Sequence, residues 1–263
     1  MHPPVSFAID RDSGIATIVF DRPEVLNAID LPMAKAFRAA VAEVTADAAV
    51  RCIVLTGAGR AFMAGGDIGG FAADLDKAGA AVDILLEEVH PAILALRSVP
   101  APVLAVVRGA AAGAGLSLVL GADVVVAAES ASFVLAYDRL GVTPDCGGTW
   151  FLERKIGRTQ AFALMLTGAR LRAAEAHARG LITEVVDDDR LEARGHELAE
   201  SIARGPTLAF GRYKALIDEA PVRSLAEQLE AERRAFIAAT HTEDFAEGVR
   251  AFAAKRPPAF QGR

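Results

Sequence analysis

The chain has only two cysteines in 263 residues, Cys52 and Cys146, far apart and without metal-ligand spacing. A disulfide framework and a cysteine-based metal site are both poor readings of that count. There is no basic cluster, and the net charge is −6. This argues against nucleic acid as a partner, and less strongly against small phosphate ligands, which need only two or three local cations. The first residues, MHPPVSFAID, lack a basic start followed by an apolar run, so no signal peptide is expected. The longest apolar region, 101–128, is broken by Arg108, Asp123 and the glycines at 109, 113, 115 and 121. It is a poor membrane span. A strand, a glycine turn, a short buried helix and a second strand fit it better. Internal repeats and low-complexity linkers are also missing. The expectation is a soluble cytoplasmic protein.

Apolar residues make up 52% of the chain, enough for a sizeable core. Residues 5–9 and 15–20, separated by DRDSG, read as a β-hairpin with Gly14 available for positive φ. Met33, Phe37, Val41 and Val44 recur at helical spacing and predict a helix over 31–46. VRCIVLT (50–56), VLAVV (103–107) and VVVAA (124–128) read as core strands, with a helix over 81–97 between the first two. This alternation points to an α/β fold with parallel pairing. Helices follow at 158–168 and 173–179, then a short strand, LITEVV (181–186). Beyond residue 195 the strands stop. Helices are expected at 190–203, 206–219 and 222–240. A last one starts at the N-cap Thr242, lines up Phe245, Val249 and Phe252, and ends at Pro257 and Pro258. The composition shift divides the chain into a core, 1–195, and a helical part, 196–263.

Two stretches put small residues where backbone must approach something closely: AFMAGGDIGG (61–70) and RGAAAGAGLS (108–117). Neither matches GxxxxGK[ST], and GAAAGA at 109–114 is not GxGxxG, so nucleotide fingerprints fail. Such turns serve as packing devices. They also let two N–H groups converge on one oxygen, which stabilises an enolate by several kcal/mol. A third stretch, GVTPDCGGTW (141–150), holds one acid, Asp145, which reads either as the N-cap of a helix near 148–156 or as a working acid.

The order AFMAGGDI, PVLAVVRGAAAGAG, GVTPDCGGTW resembles the enoyl-CoA hydratase/isomerase (crotonase) superfamily. The resemblance continues through RPEVLNAI (22–29), IVLTGAGRAF (53–62), GADVVVAAESASF (121–133), LTGARLRAAEAHARGLITEVV (166–186) and FAAKRPPAF (252–260). It implies a spiral of ββα turns with a C-terminal helical part that forms homotrimers, often dimers of trimers. It implies an acyl-CoA thioester as substrate, with coenzyme A arriving as part of that substrate and no prosthetic group. The backbone N–H groups of Gly66 and Ala114 match the pair that holds the thioester oxygen. Alanine replaces the usual glycine at 114 and can serve if its φ stays negative. Residues 64–68, including Ala64, Asp67 and Ile68, match the segment beside the adenine and pantetheine. Phe252 and Lys255 match positions that reach a neighbouring subunit's CoA. Two common lysine positions carry Glu24 and Gly69 instead, so either Arg22, Arg60 or Arg108 compensates at the phosphates or CoA binds more weakly. Arg108 reads more readily as a residue that orients its loop, since it stands just before the glycine turn.

By the same resemblance, hydratases keep two glutamates at positions that are Ser117 and Tyr137 here. A serine hydroxyl and a phenol with a reference pKa near ~10 are poor bases at neutral pH. Asp145 matches the acid of isomerases, closest to the 1,2-epoxyphenylacetyl-CoA isomerase and Δ3,Δ2-enoyl-CoA isomerase type. It would shuttle one proton between two carbons of the acyl chain. Tyr137 reads as pocket wall, hydrogen-bond donor or core packing, and Cys146 as a small packed residue. Three alternatives stand beside the isomerase. One is an enoyl-CoA hydratase. Another is a haloaryl-CoA dehalogenase-like enzyme, in which His90 would be the base and Asp145 the nucleophile. The last is an inactive acyl-CoA-binding paralogue.

Overall fold

The computed structural model describes residues 2–72 and 74–263. The chain opens with an antiparallel hairpin, β1 (Val5–Asp10) and β2 (Ile15–Phe20), turning at Gly14 with φ of 73°. Helix α1 (Leu31–Ala46) follows. Asp30 caps it by accepting from the Met33 N–H at 2.9 Å, and Met33, Phe37, Val41 and Val44 are buried along one face. Strand β3 (Cys52–Gly57) leads through the first glycine-rich loop to α2 (Ile68–Ala72) and α3 (Leu75–Ser98). Helix α3 starts six residues before the expected position. Its first turns are exposed and so carry no apolar period to read. The short α2 takes in Gly69 and Gly70, the end of a stretch (57–70) whose glycine content predicts no regular element.

The middle of the chain holds β4 (Val103–Val107), β5 (Ala110–Ala112), α4 (Ala114–Gly121), β6 (Val124–Ala128) and β7 (Ser132–Val134). Then come α5 (Gly148–Thr167), β8 (Leu171–Arg172), α6 (Ala173–Ala178) and β9 (Glu184–Val186). Helix α5 is interrupted at Gly157 (φ 75°, ψ 159°), so the two helices read on either side of that residue meet at a kink. The last four helices are α7 (Leu191–Ala203), α8 (Thr207–Glu219), α9 (Leu225–Thr240) and α10 (Glu243–Ala253).

Among the described residues, six strands form one sheet in the order β1-β2-β3-β4-β6-β9, parallel from β2 onward. A smaller sheet, β5-β7-β8, lies at the end of the strands. Both faces of the large sheet are covered, which is why its strands are continuously apolar. On β4, Val103, Ala105 and Val107 join the core with α1 and α3, while Leu104 and Val106 face Leu191, Ala199 and Ala203 of α7. The division expected at residue 195 falls inside α7. That helix packs on the sheet, so the helical appendage begins with α8.

A buried ionic cluster ties α8 to the sheet. Lys214 donates to the carbonyls of Leu96, Val99 and Ala101 and lies 3.1 Å from Asp123. Arg97 bridges Asp123 and Asp218. Outward from this anchor, α10 leaves the Phe245, Val249 and Phe252 face largely open, with Phe252 87% exposed.

Candidate active site

The loop carrying Gly66 is stitched into place on two sides. Met63 donates to the Ala110 carbonyl and accepts from the Ala112 N–H at 2.9 Å. The Ile29 N–H donates to Gly65, and the Asp67 N–H donates back to Ile29. Asn27, which the sequence reading passed over, is the internal clamp. It is fully buried with φ of 58°, and its amide donates to Ala61 at 2.8 Å and to Ala58 and Phe62. Its carbonyl accepts the Arg22 N–H at 2.8 Å. The available signal was a lone amide side chain inside the apolar run VLNAI, of a residue type that tolerates positive φ.

The second loop turns at Gly113 (φ 51°, ψ −124°), a conformation open to glycine, and Ala114 starts α4. Gly115 lets α4 come close to the first loop: a methyl group there would lie 2.3 Å from the Met63 carbonyl oxygen. Ala114 keeps the negative φ required of it. The N–H groups of Gly66 and Ala114 enter none of the hydrogen bonds found among the described residues. As the first residue of a helix, Ala114 has no intrahelical partner for its N–H, and it sits at the positive end of α4.

Asp145 is half-buried, and the Tyr137 hydroxyl donates to its Oδ1. Tyr137 is 8% exposed, and its oxygen lies 3.4 Å from the Oγ of Ser117, which is fully buried. Burial, and then the charge of Asp145, push the Tyr137 pKa up, so the phenol is a donor and not a base. The Cys146 thiol is likewise pushed up by burial and by Asp145, which suits packing rather than nucleophilic chemistry. The N-cap reading of Asp145 is corrected. Gly147 occupies the cap of α5, no side chain caps that helix, and Asp145 contributes its backbone carbonyl to the Gly148 N–H at 2.8 Å.

The structure gathers Asp145, Tyr137 and Ser117 into one hydrogen-bonded group, and joins the Gly66 and Ala114 loops to each other. The remaining expected residues are placed as follows. Ala64 donates its N–H to Leu26 in the clamped loop, and Ile68 is exposed at the start of α2. Asp67 pairs with Arg22 at 3.3 Å, and Arg22 also pairs with Asp30 at 3.0 Å. Arg108 pairs with Glu192 of α7 at 3.2 Å. Of the three candidate phosphate-binding arginines, two are therefore engaged, while exposed Arg60 has no ion pair among the described residues. His90 is exposed on α3 and shares no hydrogen bond with Asp145. Phe252 and Lys255 lie exposed at the end of the helical appendage. The larger cavities are elsewhere. One of about 520 Å³ lies beside the Arg97–Lys214 cluster, and an apolar one of about 600 Å³ lies among α8, α9 and α10.

Two backbone N–H groups without a hydrogen-bond partner among the described residues, on loops joined to each other, and a carboxylate paired with a buried phenol are the kinds of group that proton transfer next to a carbonyl uses. Residues 10–263 match the enoyl-CoA hydratase/isomerase family. The chain is 41% identical to 1,2-epoxyphenylacetyl-CoA isomerase of Escherichia coli, over 96% of this chain and 97% of that one. It is 44% identical to a Rhodobacter capsulatus protein described as "probable enoyl-CoA hydratase", over 95% of each. The crystal structure of an enoyl-CoA hydratase from Polaromonas superposes with a TM-score of 0.91 at 33% identity, covering 97% of this chain and 99% of that one. The chain has the crotonase-like fold and belongs to the enoyl-CoA hydratase/isomerase family.

Proposed function

We propose that the protein is an acyl-CoA isomerase that moves a double bond, or rearranges a ring epoxide, through an enolate. The observation that carries this reading is the pairing at Asp145. Its carboxylate accepts from Tyr137, while the family's two hydratase acid positions hold Ser117 and Tyr137. In this reading Asp145 takes a proton from one carbon of the acyl chain. The Gly66 and Ala114 N–H groups hold the thioester oxygen as charge develops on it. Asp145 then returns the proton to another carbon. The similarity to the E. coli isomerase supports it. No prosthetic group is required, since coenzyme A comes with the substrate. Of the three candidate arginines, Arg60 is the one left to meet its phosphates, because Arg22 and Arg108 are paired with carboxylates.

A panel assay of wild type and Asp145→Asn tests this with 3-hexenoyl-CoA, crotonyl-CoA and a haloaryl-CoA. Isomerisation that falls at least ~100-fold in the variant is expected, the usual scale for a lost acid–base group. Hydration of crotonyl-CoA that survives the substitution would sink the reading. Hydratase is the second reading, favoured by the 44% identity to the R. capsulatus protein. Halide release would favour the dehalogenase branch, against which exposed His90 counts. Tight thioester binding without turnover would favour a binding paralogue.

We also propose that the chain assembles as a homotrimer or a dimer of trimers, with the apolar α8–α10 surface covered by a second copy. Phe236, Phe245, Val249 and Phe252 line that surface, a large apolar area to leave in water. Light scattering reads the mass directly, and a monomer at micromolar concentration would overturn this.

A further inference from the structure

Three groups connect the carboxylate to the glycine turn. Tyr137 donates to Asp145 Oδ1, the Tyr137 oxygen lies 3.4 Å from Ser117 Oγ, and Ser117 Oγ lies 3.4 Å from the Gly113 carbonyl. Gly113 is the residue immediately before Ala114, so the chain of contacts runs from the acid to the base of the oxyanion-holding turn. Ser117 and Tyr137 are both buried. Gly148 closes over Ser117, so a methyl group at 148 would lie 2.5 Å from Ser117 Oγ. By the family resemblance these side chains fill the positions of a hydratase's two acids, one of which activates water while the other protonates the α-carbon.

We infer that Tyr137 is a positioning residue for the proton shuttle. Its hydroxyl holds Oδ1 so that Oδ2 is left for the acyl chain and, with buried Ser117, it keeps water from the inner side of Asp145. This rests on the isomerase reading. The proton removed is then the proton returned. The C2–H bond of a 3-enoyl thioester breaks, and its electron pair moves onto the thioester oxygen as a dienolate. The proton sits on Asp145 Oδ2. The O–H bond then breaks, a C4–H bond forms, and the electron pair returns to leave a 2-enoyl thioester. Nothing is oxidised or reduced and no water is consumed. A neutral phenol remains a donor to the carboxyl group throughout, because burial disfavours its ionisation.

The test uses the full-length protein and 3-hexenoyl-CoA carrying deuterium at both C2 positions, in ordinary water. Wild type is expected to deliver most of the transferred deuterium to C4. Tyr137→Phe, which keeps the ring, is expected to lose about tenfold in kcat, the scale of one hydrogen bond to a charged group. Its KM should change less than about twofold, and its product should show increased solvent exchange at C4. Ser117→Ala is expected to raise exchange with a smaller loss of kcat. A purely structural role would lower stability while leaving label retention unchanged. If Asp145→Asn is inactive while Tyr137→Phe matches wild type in kcat and label retention, this inference fails and the isomerase reading stands. If wild type does not isomerise the probe, or Asp145→Asn does so at full rate, the isomerase reading itself fails.

Discussion

Gly148 leaves room for Ser117 and for little more: a methyl group at 148 would approach the Ser117 hydroxyl oxygen to 2.5 Å. The first turn of α5 therefore rests directly on the buried face of α4. Enlarging residue 117 should overpack this contact at a cost of about 1–3 kcal/mol. Ser117→Glu, which restores an acid to a hydratase position, is expected to lose stability and to gain no hydration of crotonyl-CoA. Chemical denaturation and a hydration assay read the two effects. A stable Ser117→Glu with new hydratase activity would show that the pocket is more open than the packing allows.

Asn27 stands in for a strand where the chain has none, satisfying carbonyls of residues 58, 61 and 62 with a single amide group. Asn27→Ala leaves buried carbonyls unpaired and strains a left-handed backbone. It is expected to cost about 2–3 kcal/mol and to reduce turnover through the displaced Gly66 loop. Asn27→Gly relieves the backbone strain alone. A smaller stability loss in Asn27→Gly, with turnover equally reduced, separates the clamp from the strain.

Lys214 is buried with one carboxylate and three carbonyls around its ammonium. Removing it leaves Asp123 with Arg97 and one backbone N–H as its hydrogen-bond partners among the described residues. Lys214→Met is expected to destabilise the chain by about 3 kcal/mol, the scale for breaking a buried pair from one side. Loosened docking of α8 should also expose it to proteolysis. An unchanged denaturation midpoint would mean the cluster contributes specificity and little stability.

Cys52 offers a titration with a defined sign. Burial first, and then the charge of Asp123, push its thiol up to about 12 from an ordinary value of 9.0. The folded chain therefore keeps a proton that the unfolded chain releases, and stability falls as pH rises through 9 towards 12. Below pH 9 the contribution is fully present. Cys52→Ala should unfold more easily at neutral pH, yet lose less with each further pH unit between 9 and 11 than wild type does. Parallel pH profiles for the two proteins would refute the shift. Alkylation at pH 8 should be negligible in the folded protein for the same reason.

Elements whose cause is local or periodic were legible in the chain alone. The hairpin at Gly14, the buried face of α1, the strands β4 and β6, and the Thr242 cap of α10 all stood where apolar spacing and cap chemistry put them. The glycine turns and Asp145 were visible because residue types that break regular structure are conspicuous in an apolar chain, and the family resemblance gave them an order. Folding settled what distance in the chain conceals. Asp145 is a hydrogen-bond acceptor for Tyr137, not the cap of α5, because Gly147 takes the cap and the polypeptide turns the carboxylate towards a phenol eight residues earlier. Arg22 is committed to Asp30 and Asp67, and Asn27 to three carbonyls thirty or more residues on. A single side chain carries no mark of its distant partner. Such partnerships exist only once the sheet has set the loops side by side.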